Sequence, residues 1–189
     1  MPTFSSTELL HELRQQVTDG IQFIRENAQQ PATDWQRPPA NGGWSAVEVV
    51  AHLNFYAGFY TQAVEQVLAK AKGQPTARFR SGWFGNYFTR IIGPAPEGGA
   101  LAMKMPTPDN AQPKPASELD QEREIATFLS YQETLLRQLE HAQAVPLGRL
   151  RVPTSLSPLI RLKLGDTFRF VIAHQQRHFQ QIARALQAD

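Results

Sequence analysis

Three of the five histidines stand at positions from which they could bind a single metal ion. His174 and His178 are four residues apart, so a helix would place both imidazoles on one face. His52 lies far upstream, in the segment GWSAVEVVAHLNFY. Three imidazole ligands leave coordination positions open for water or a substrate, which is typical of reactive metal sites. The spacing predicts such an open site, and for His174 and His178 alone it fits a hydrogen-bonded structural pair equally well.

The other two histidines have simpler interpretations. His11 lies beside charged residues in the first predicted helix, and we expect it at the surface. His141 ends the third predicted helix, where the helix dipole favours a cation. His52 is different, because it lies on an otherwise apolar helix face two turns after the helix begins. We therefore expect His52 to complete the set with His174 and His178.

Composition limits the chemistry and the partners. The chain of 189 residues contains no cysteine, which excludes disulfides, a catalytic protein thiolate and sulfur ligands for a metal. The net charge is only +2, with basic and acidic residues mixed along the chain, so we expect no nucleic-acid partner. The polar start of the chain lacks a signal core, and no stretch approaches 18 apolar residues. We therefore expect a cytoplasmic protein with no membrane partner.

Four long amphipathic patterns must position the histidines, and together they predict an all-α four-helix bundle in one domain spanning residues 1–189. The segments between them are rich in proline and glycine and are predicted to be loops. Serine–glutamate capping boxes open the first two helices, and Asp166 is the predicted N-cap of the last. The predicted helices run from about Ser5 to Ala28, from Ser45 to near Gly73, from Ser117 to about His141, and from Asp166 to Leu186.

The segment from Gly73 to Ala116 is too long to be a hairpin loop between neighbouring helices, which usually takes about 2–8 residues. It predicts a long crossover that makes the second and third helices parallel. Within it, the aromatic stretch GWFGNYFTRIIG predicts a short helix packed on the bundle.

The residues around the histidines also resemble a known family. GWSAVEVVAHL is similar to the first signature of the DinB/YfiT-like superfamily, and LKLGDTFRFVIAHQQRHFQQI is similar to its second. The proline-studded stretch KMPTPDNAQPKP fits the same pattern. The resemblance implies a four-helix bundle with a long crossover between helices 2 and 3. It also implies a homodimer and a divalent metal ion bound by His52, His174 and His178.

The resemblance indicates the site more specifically than the reaction. Members with known activities include thiol-dependent transferases and isomerases that use low-molecular-weight thiols, and some are described as metal-dependent hydrolases. We therefore expect a metal-dependent enzyme of transferase or hydrolase type that acts on a small molecule. The alternative is a non-catalytic metal- or ligand-binding homodimeric bundle with a vestigial site.

The expected ion is zinc or nickel, with iron or manganese as alternatives. The sequence identifies no catalytic residue and no site for an organic cofactor. Four side chains near the histidines have two interpretations each. Glu48 is interpreted first as a helix cap and second as a support for His52. Gln181 could orient His178 or face solvent, and Tyr56 and Tyr60 could line a cavity or belong to the core.

Overall fold

The computed structural model describes residues 1–40, 42–95, 106–155, 157 and 159–187. These residues are mainly helical, which confirms the all-α prediction, and short 3-10 turns and two small antiparallel strand pairs complete them. The strands are β1 (Thr3–Ser5) with β2 (Arg78–Arg80) and β3 (Arg151–Pro153) with β4 (Arg161–Lys163). The helices are α1 (Ser6–Asn27), α2 (Ala32–Gln36), α3 (Ala46–Leu68), α4 (Trp83–Ile92), α5 (Gln121–His141) and α6 (Leu164–Leu186).

The long helices α1, α3, α5 and α6 form the bundle, and side-chain contacts give their directions. The Asn54 side chain donates to the Glu124 carbonyl (2.9 Å), and the Gln138 side chain donates to the Thr61 carbonyl (2.9 Å). Residue numbers rise together along α3 and α5, so these helices are parallel, as the predicted crossover requires. The crossover contains α4, which confirms the predicted short helix. Residues 96–105 of the crossover, with the start of the KMPTPDNAQPKP stretch, lie outside the described residues.

Local capping explains where α3 begins. The backbone nitrogen and the hydroxyl of Ser45 both donate to the Glu48 carboxylate, at 2.8 and 2.7 Å. The predicted capping box is therefore present, and the Glu48 carboxylate is engaged at the helix start. Ser5 plays a similar part at α1, where its hydroxyl accepts from the Glu8 nitrogen (3.4 Å).

The predicted start of the third long helix at Ser117 was wrong, because α5 begins only at Gln121. Residues Ala116–Glu118 form a separate 3-10 turn, and Leu119 is extended. The Asp120 carboxylate accepts from the Arg123 nitrogen (2.8 Å) and is the actual N-cap.

Asp166 was also wrongly predicted as an N-cap, since α6 begins two residues earlier and Lys163 precedes it. The Asp166 carboxylate is fully buried and accepts from the Ser81 hydroxyl (2.5 Å), the Gly82 nitrogen (2.7 Å) and the Arg169 guanidinium (3.1 Å). Because Gly82 immediately precedes α4, this carboxylate fixes the start of α4 against α6. A side chain at Gly85 would meet Asp166 at 2.3 Å, so glycine is required there by close approach.

Two predicted loops contain regular structure. The segment from Pro31 to Gly43 includes α2, whose Trp35 is fully buried and donates from its indole to the Asn27 carbonyl (3.1 Å). The linker before α6, with Pro146, Gly148 and Pro153, includes the β3–β4 hairpin; Pro158, also in this linker, lies outside the described residues. Strands of three residues are too short to show a clear alternation in the sequence.

The core follows the apolar stripes of the long helices and includes Leu13, Val17, Ile24, Phe128, Leu139, Phe168, Ile172 and Ile182. A third, more aromatic cluster forms where α3, α4, α6 and the hairpin meet. Tyr60, Phe88 and Phe170 belong to this cluster, with Phe88 and Tyr60 each packed on the Phe170 ring. Among the described helices, none combines the length and the apolar character needed to cross a membrane.

Candidate metal centre

The fold brings the three predicted histidines together. His52 projects from α3, and His174 and His178 project from α6, which runs antiparallel to α3. The ring centroids of His52 and His178 are 4.8 Å apart, and those of His174 and His178 are 4.5 Å apart. One ligand atom from each residue lies within 4.8 Å of the others, so the group could hold a metal ion.

Hydrogen bonds determine which nitrogen faces the centre of the group. His52 Nδ1 lies 3.0 Å from the Ala111 carbonyl, and His178 Nδ1 lies 2.9 Å from Gln181 Oε1. Both oxygens are acceptors, so each Nδ1 carries the proton and each Nε2 keeps a free lone pair. His174 Nε2 lies 2.9 Å from His178 Nε2. Because His178 Nε2 is the acceptor in this contact, His174 Nε2 donates to it, and the His174 proton would have to move to Nδ1 for all three Nε2 atoms to bind one ion.

Burial keeps these imidazoles neutral. His52 and His178 are buried, whereas His174 is partly accessible. Burial lowers the pKa of His52, and burial with the nearby charge of His52 lowers the pKa of His178 to about 3. Burial and the charges of His178 and His52 lower the pKa of His174 well below its usual value. At neutral pH the lone pairs are therefore available to an ion.

Aromatic rings border the three imidazoles. The Trp44 ring lies 4.8 Å from the His52 ring, and the Tyr56 ring lies 5.0 Å from His52 and 5.2 Å from His174. Tyr56 is half-buried, and burial raises the pKa of its phenol, so it stays protonated at neutral pH. Tyr56 therefore contacts two of the three imidazoles, and it also packs on the aromatic core cluster.

Tyr60 belongs to the core, the second of its two predicted roles. Its side chain is 3% exposed, and its hydroxyl hydrogen-bonds to the Ser155 hydroxyl (3.1 Å) and accepts from the Ser155 nitrogen (3.2 Å). Gln181 orients His178, the first of its two predicted roles. His11 and His141 are exposed, as expected from their positions on α1 and at the end of α5.

Sequence reasoning missed two neighbours of the site. Ala111 contributes a main-chain carbonyl, which no residue type reveals. Trp44 had a weak signal in the sequence. It directly precedes the Ser45 cap, two turns before His52 of α3.

The chain was also compared with known proteins. The family model described as the DinB superfamily matches residues 22–182, a range that contains all three histidines and the crossover between α3 and α5. No curated protein and no solved structure matches the chain.

Proposed function

We propose that this chain, which belongs to the DinB superfamily, binds a divalent metal ion through His52, His174 and His178 and uses it to act on a small molecule. The observation that carries the proposal is the convergence of three neutral imidazoles within 4.8 Å. The favoured ions are zinc and nickel, followed by iron, because the donor set consists of imidazoles; manganese, which prefers oxygen ligands, is the least favoured alternative. The reaction class is thiol-dependent transfer or hydrolysis.

The donor geometry fits an ion. Zinc–nitrogen bonds of about 2.0–2.1 Å at tetrahedral angles separate two ligand nitrogens by about 3.4 Å. The shortest pair in the group is 2.9 Å apart, and all three ligand atoms lie within 4.8 Å, so only small side-chain movements are needed. Among the described residues, the Nε2 atom of His52 has no hydrogen-bond partner, and an ion would satisfy it.

A bound divalent ion would supply Lewis acidity that lowers the pKa of a water molecule or of a substrate thiol toward neutrality. The protein's own groups orient and enclose this chemistry. Ala111 and Gln181 hold His52 and His178 in one tautomer, and the Trp44 ring packs beside His52. The protonated Tyr56 phenol can donate a hydrogen bond to a bound substrate. Because the chain has no cysteine, a thiol nucleophile must come from a cosubstrate.

An activity screen tests the enzymatic part of this proposal. The metal-loaded protein would be incubated with glutathione or free cysteine and a small electrophile, and separately with small esters and amides. We expect faster thiol consumption or hydrolysis than with the same protein after chelation. Metal binding without turnover of any of these substrates would instead support the non-catalytic binding protein. Homodimer formation belongs to the same proposal through the family resemblance, and light scattering of the purified chain tests it.

The Gln181→Ala variant tests whether the hydrogen bond with Gln181 orients His178 for metal binding. Loss of the Gln181 carbonyl frees the His178 ring to rotate and to change tautomer, so we expect metal affinity to fall about 10- to 100-fold. Competition with a chromogenic chelator measures this affinity. Gln176→Ala is the matched control, because Gln176 is a partly exposed residue of the same helix. Equal affinity in the wild type and in Gln181→Ala would contradict the orienting role.

A further inference from the structure

Positive charge is concentrated in two stretches of the chain. Residues 66–95 contain five Lys/Arg and no Asp/Glu, and residues 141–187 contain seven Lys/Arg and a single acid, Asp166. Asp166 is buried and paired with Arg169, so the two charges cancel and six Lys/Arg of the second stretch remain without an acidic residue in that stretch. The two stretches include β2, α4, the β3–β4 hairpin and α6. Helix α4 packs on α6 and on β4, the hairpin packs on α6, and Lys163 of β4 donates to the Arg80 carbonyl of β2. One contiguous part of the fold is therefore strongly cationic.

The cations are most closely grouped on the β3–β4 hairpin. Leu162 points into the core, so its strand neighbours Arg161 and Lys163 point outward. Arg151 stands directly opposite Lys163 in the strand pairing. The Arg151 guanidinium donates to the Gly148 carbonyl (2.8 Å), and among the described residues neither cation has an acidic partner, so both charges are left to attract an external anion. The Lys163 ammonium also donates to the Arg80 carbonyl (2.8 Å), which places the exposed Arg80 beside the hairpin.

An exposed aromatic surface begins next to these cations. Trp83, Phe84 and Tyr87 of α4 are 60%, 53% and 42% exposed. The Trp83 and Tyr87 rings stack in parallel at 5.7 Å, on the side of α4 that faces away from the core. The buried side of the helix carries Gly85 and Ile92. Phe88, stacked on Phe84, lies between the two sides and packs on the aromatic cluster with Phe170. Large aromatic residues grouped on a surface indicate an interaction site.

We propose that α4 and the β3–β4 hairpin dock the protein on the surface of an anionic lipid bilayer. Trp83, Phe84 and Tyr87 enter the headgroup region, where aromatic side chains with one polar edge are favoured. Arg80, Arg151, Arg161 and Lys163 then face the lipid phosphates. A surface helix with an aromatic face and adjacent cations is the usual combination for peripheral membrane binding. No spanning helix is needed for this association, so peripheral binding replaces the expectation from the sequence that the protein has no membrane partner.

Two observations favour a bilayer over other anionic or apolar partners. Leu159, near the tip of the hairpin, is 93% exposed, and an aliphatic side chain inserts into lipid but gives no platform for stacking nucleic-acid bases. A second copy of the chain bound symmetrically through this surface would bring two cationic patches together, which opposes association.

Vesicle binding tests the proposal without reference to the metal centre, because the full chain can be used after chelation. The protein would be sedimented with vesicles of phosphatidylcholine alone and with vesicles that also contain phosphatidylglycerol. We expect binding to the anionic vesicles, a blue shift of tryptophan fluorescence, and weaker binding as salt rises. Absence of binding to phosphatidylglycerol vesicles at low salt would overturn the proposal.

Two pairs of substitutions test whether α4 and the hairpin form the surface that binds vesicles. Trp83→Ala with Tyr87→Ala removes the aromatic rings, and Arg80→Glu with Arg161→Glu reverses two charges; each pair is expected to weaken vesicle binding about tenfold or more. Arg25→Glu with Lys114→Glu is the matched control, because it makes the same charge change at exposed positions of α1 and the crossover.

Circular dichroism verifies the fold of each variant. If one of the two test pairs does not fold, vesicle binding by the other pair still tests the surface. Equal vesicle binding by the control and both test pairs would overturn the assignment to α4 and the hairpin. Tighter binding to a single-stranded oligonucleotide than to vesicles at the same salt would overturn the choice of lipid.

Discussion

Replacing His174 by alanine is expected to reduce bound divalent metal from about one ion per chain to background. His174 supplies one of three imidazole nitrogens, and two ligands from one protein rarely retain an ion through purification. His174 is the best position for the test because it is partly accessible, whereas His52 and His178 are buried. Elemental analysis of the purified proteins measures the effect. His11→Ala is the matched control, since it removes an exposed histidine from α1.

Thermal unfolding separates a lost ligand from a damaged fold. A metal that binds only the folded state raises the melting temperature of the wild type, and this increase should disappear in His174→Ala. The chelated forms of the two proteins should melt at similar temperatures, because a partly accessible side chain contributes less to core packing than a fully buried one. Equal metal content in the variant and the wild type would refute the ligand assignment.

Asp166→Ala is expected to lower the free energy of unfolding by about 3–5 kcal/mol, because it leaves the Arg169 guanidinium without its buried partner. The same carboxylate accepts from Ser81 and Gly82, so its loss also releases the start of α4 from α6. Urea denaturation followed by circular dichroism measures the change.

The control for Asp166→Ala is Asp120→Ala, which removes an exposed helix cap from α5. Loss of such a cap costs about 0.5–2 kcal/mol. Similar small losses in both variants would show that the Asp166 cluster does not anchor α4. A large loss of unfolding free energy in Asp166→Ala alone would show that Asp166 is a buried anchor. A helix cap, which is the role that the sequence predicts for Asp166, would give only a small loss.

The long helices could be predicted because their signals are local. Apolar residues recur at helical spacing, and Ser45 with Glu48 marks the start of α3 through contacts within a single turn. The start of α5 was predicted wrongly because two local signals compete there. Ser117 and Asp120 are both good N-cap residues, and only the turn imposed after Pro115 places the helix start at Asp120.

The convergence of the histidines was predictable in part. Helix phase places His52, His174 and His178 on inward faces, and the family resemblance groups them. The Ala111 carbonyl and the Trp44 ring, which orient and border the site, come from segments outside the helices that carry the histidines. A main-chain carbonyl has the same chemistry in every residue type, so its role depends only on where the crossover packs.

The sequence by itself determined the helical class, the long crossover and the three histidines, because each depends on spacing within a segment or on a recognisable motif. Only the tertiary structure decided which groups hold the imidazoles, that Asp166 anchors α4, and where the charges lie. The basic residues are concentrated in two stretches of the chain, but only the packing of α4 and the hairpin against α6, with Arg80 of β2 beside the hairpin, brings these stretches together. The physical reason is that capping and periodicity act over a few residues, whereas these arrangements depend on packing between segments far apart in the chain.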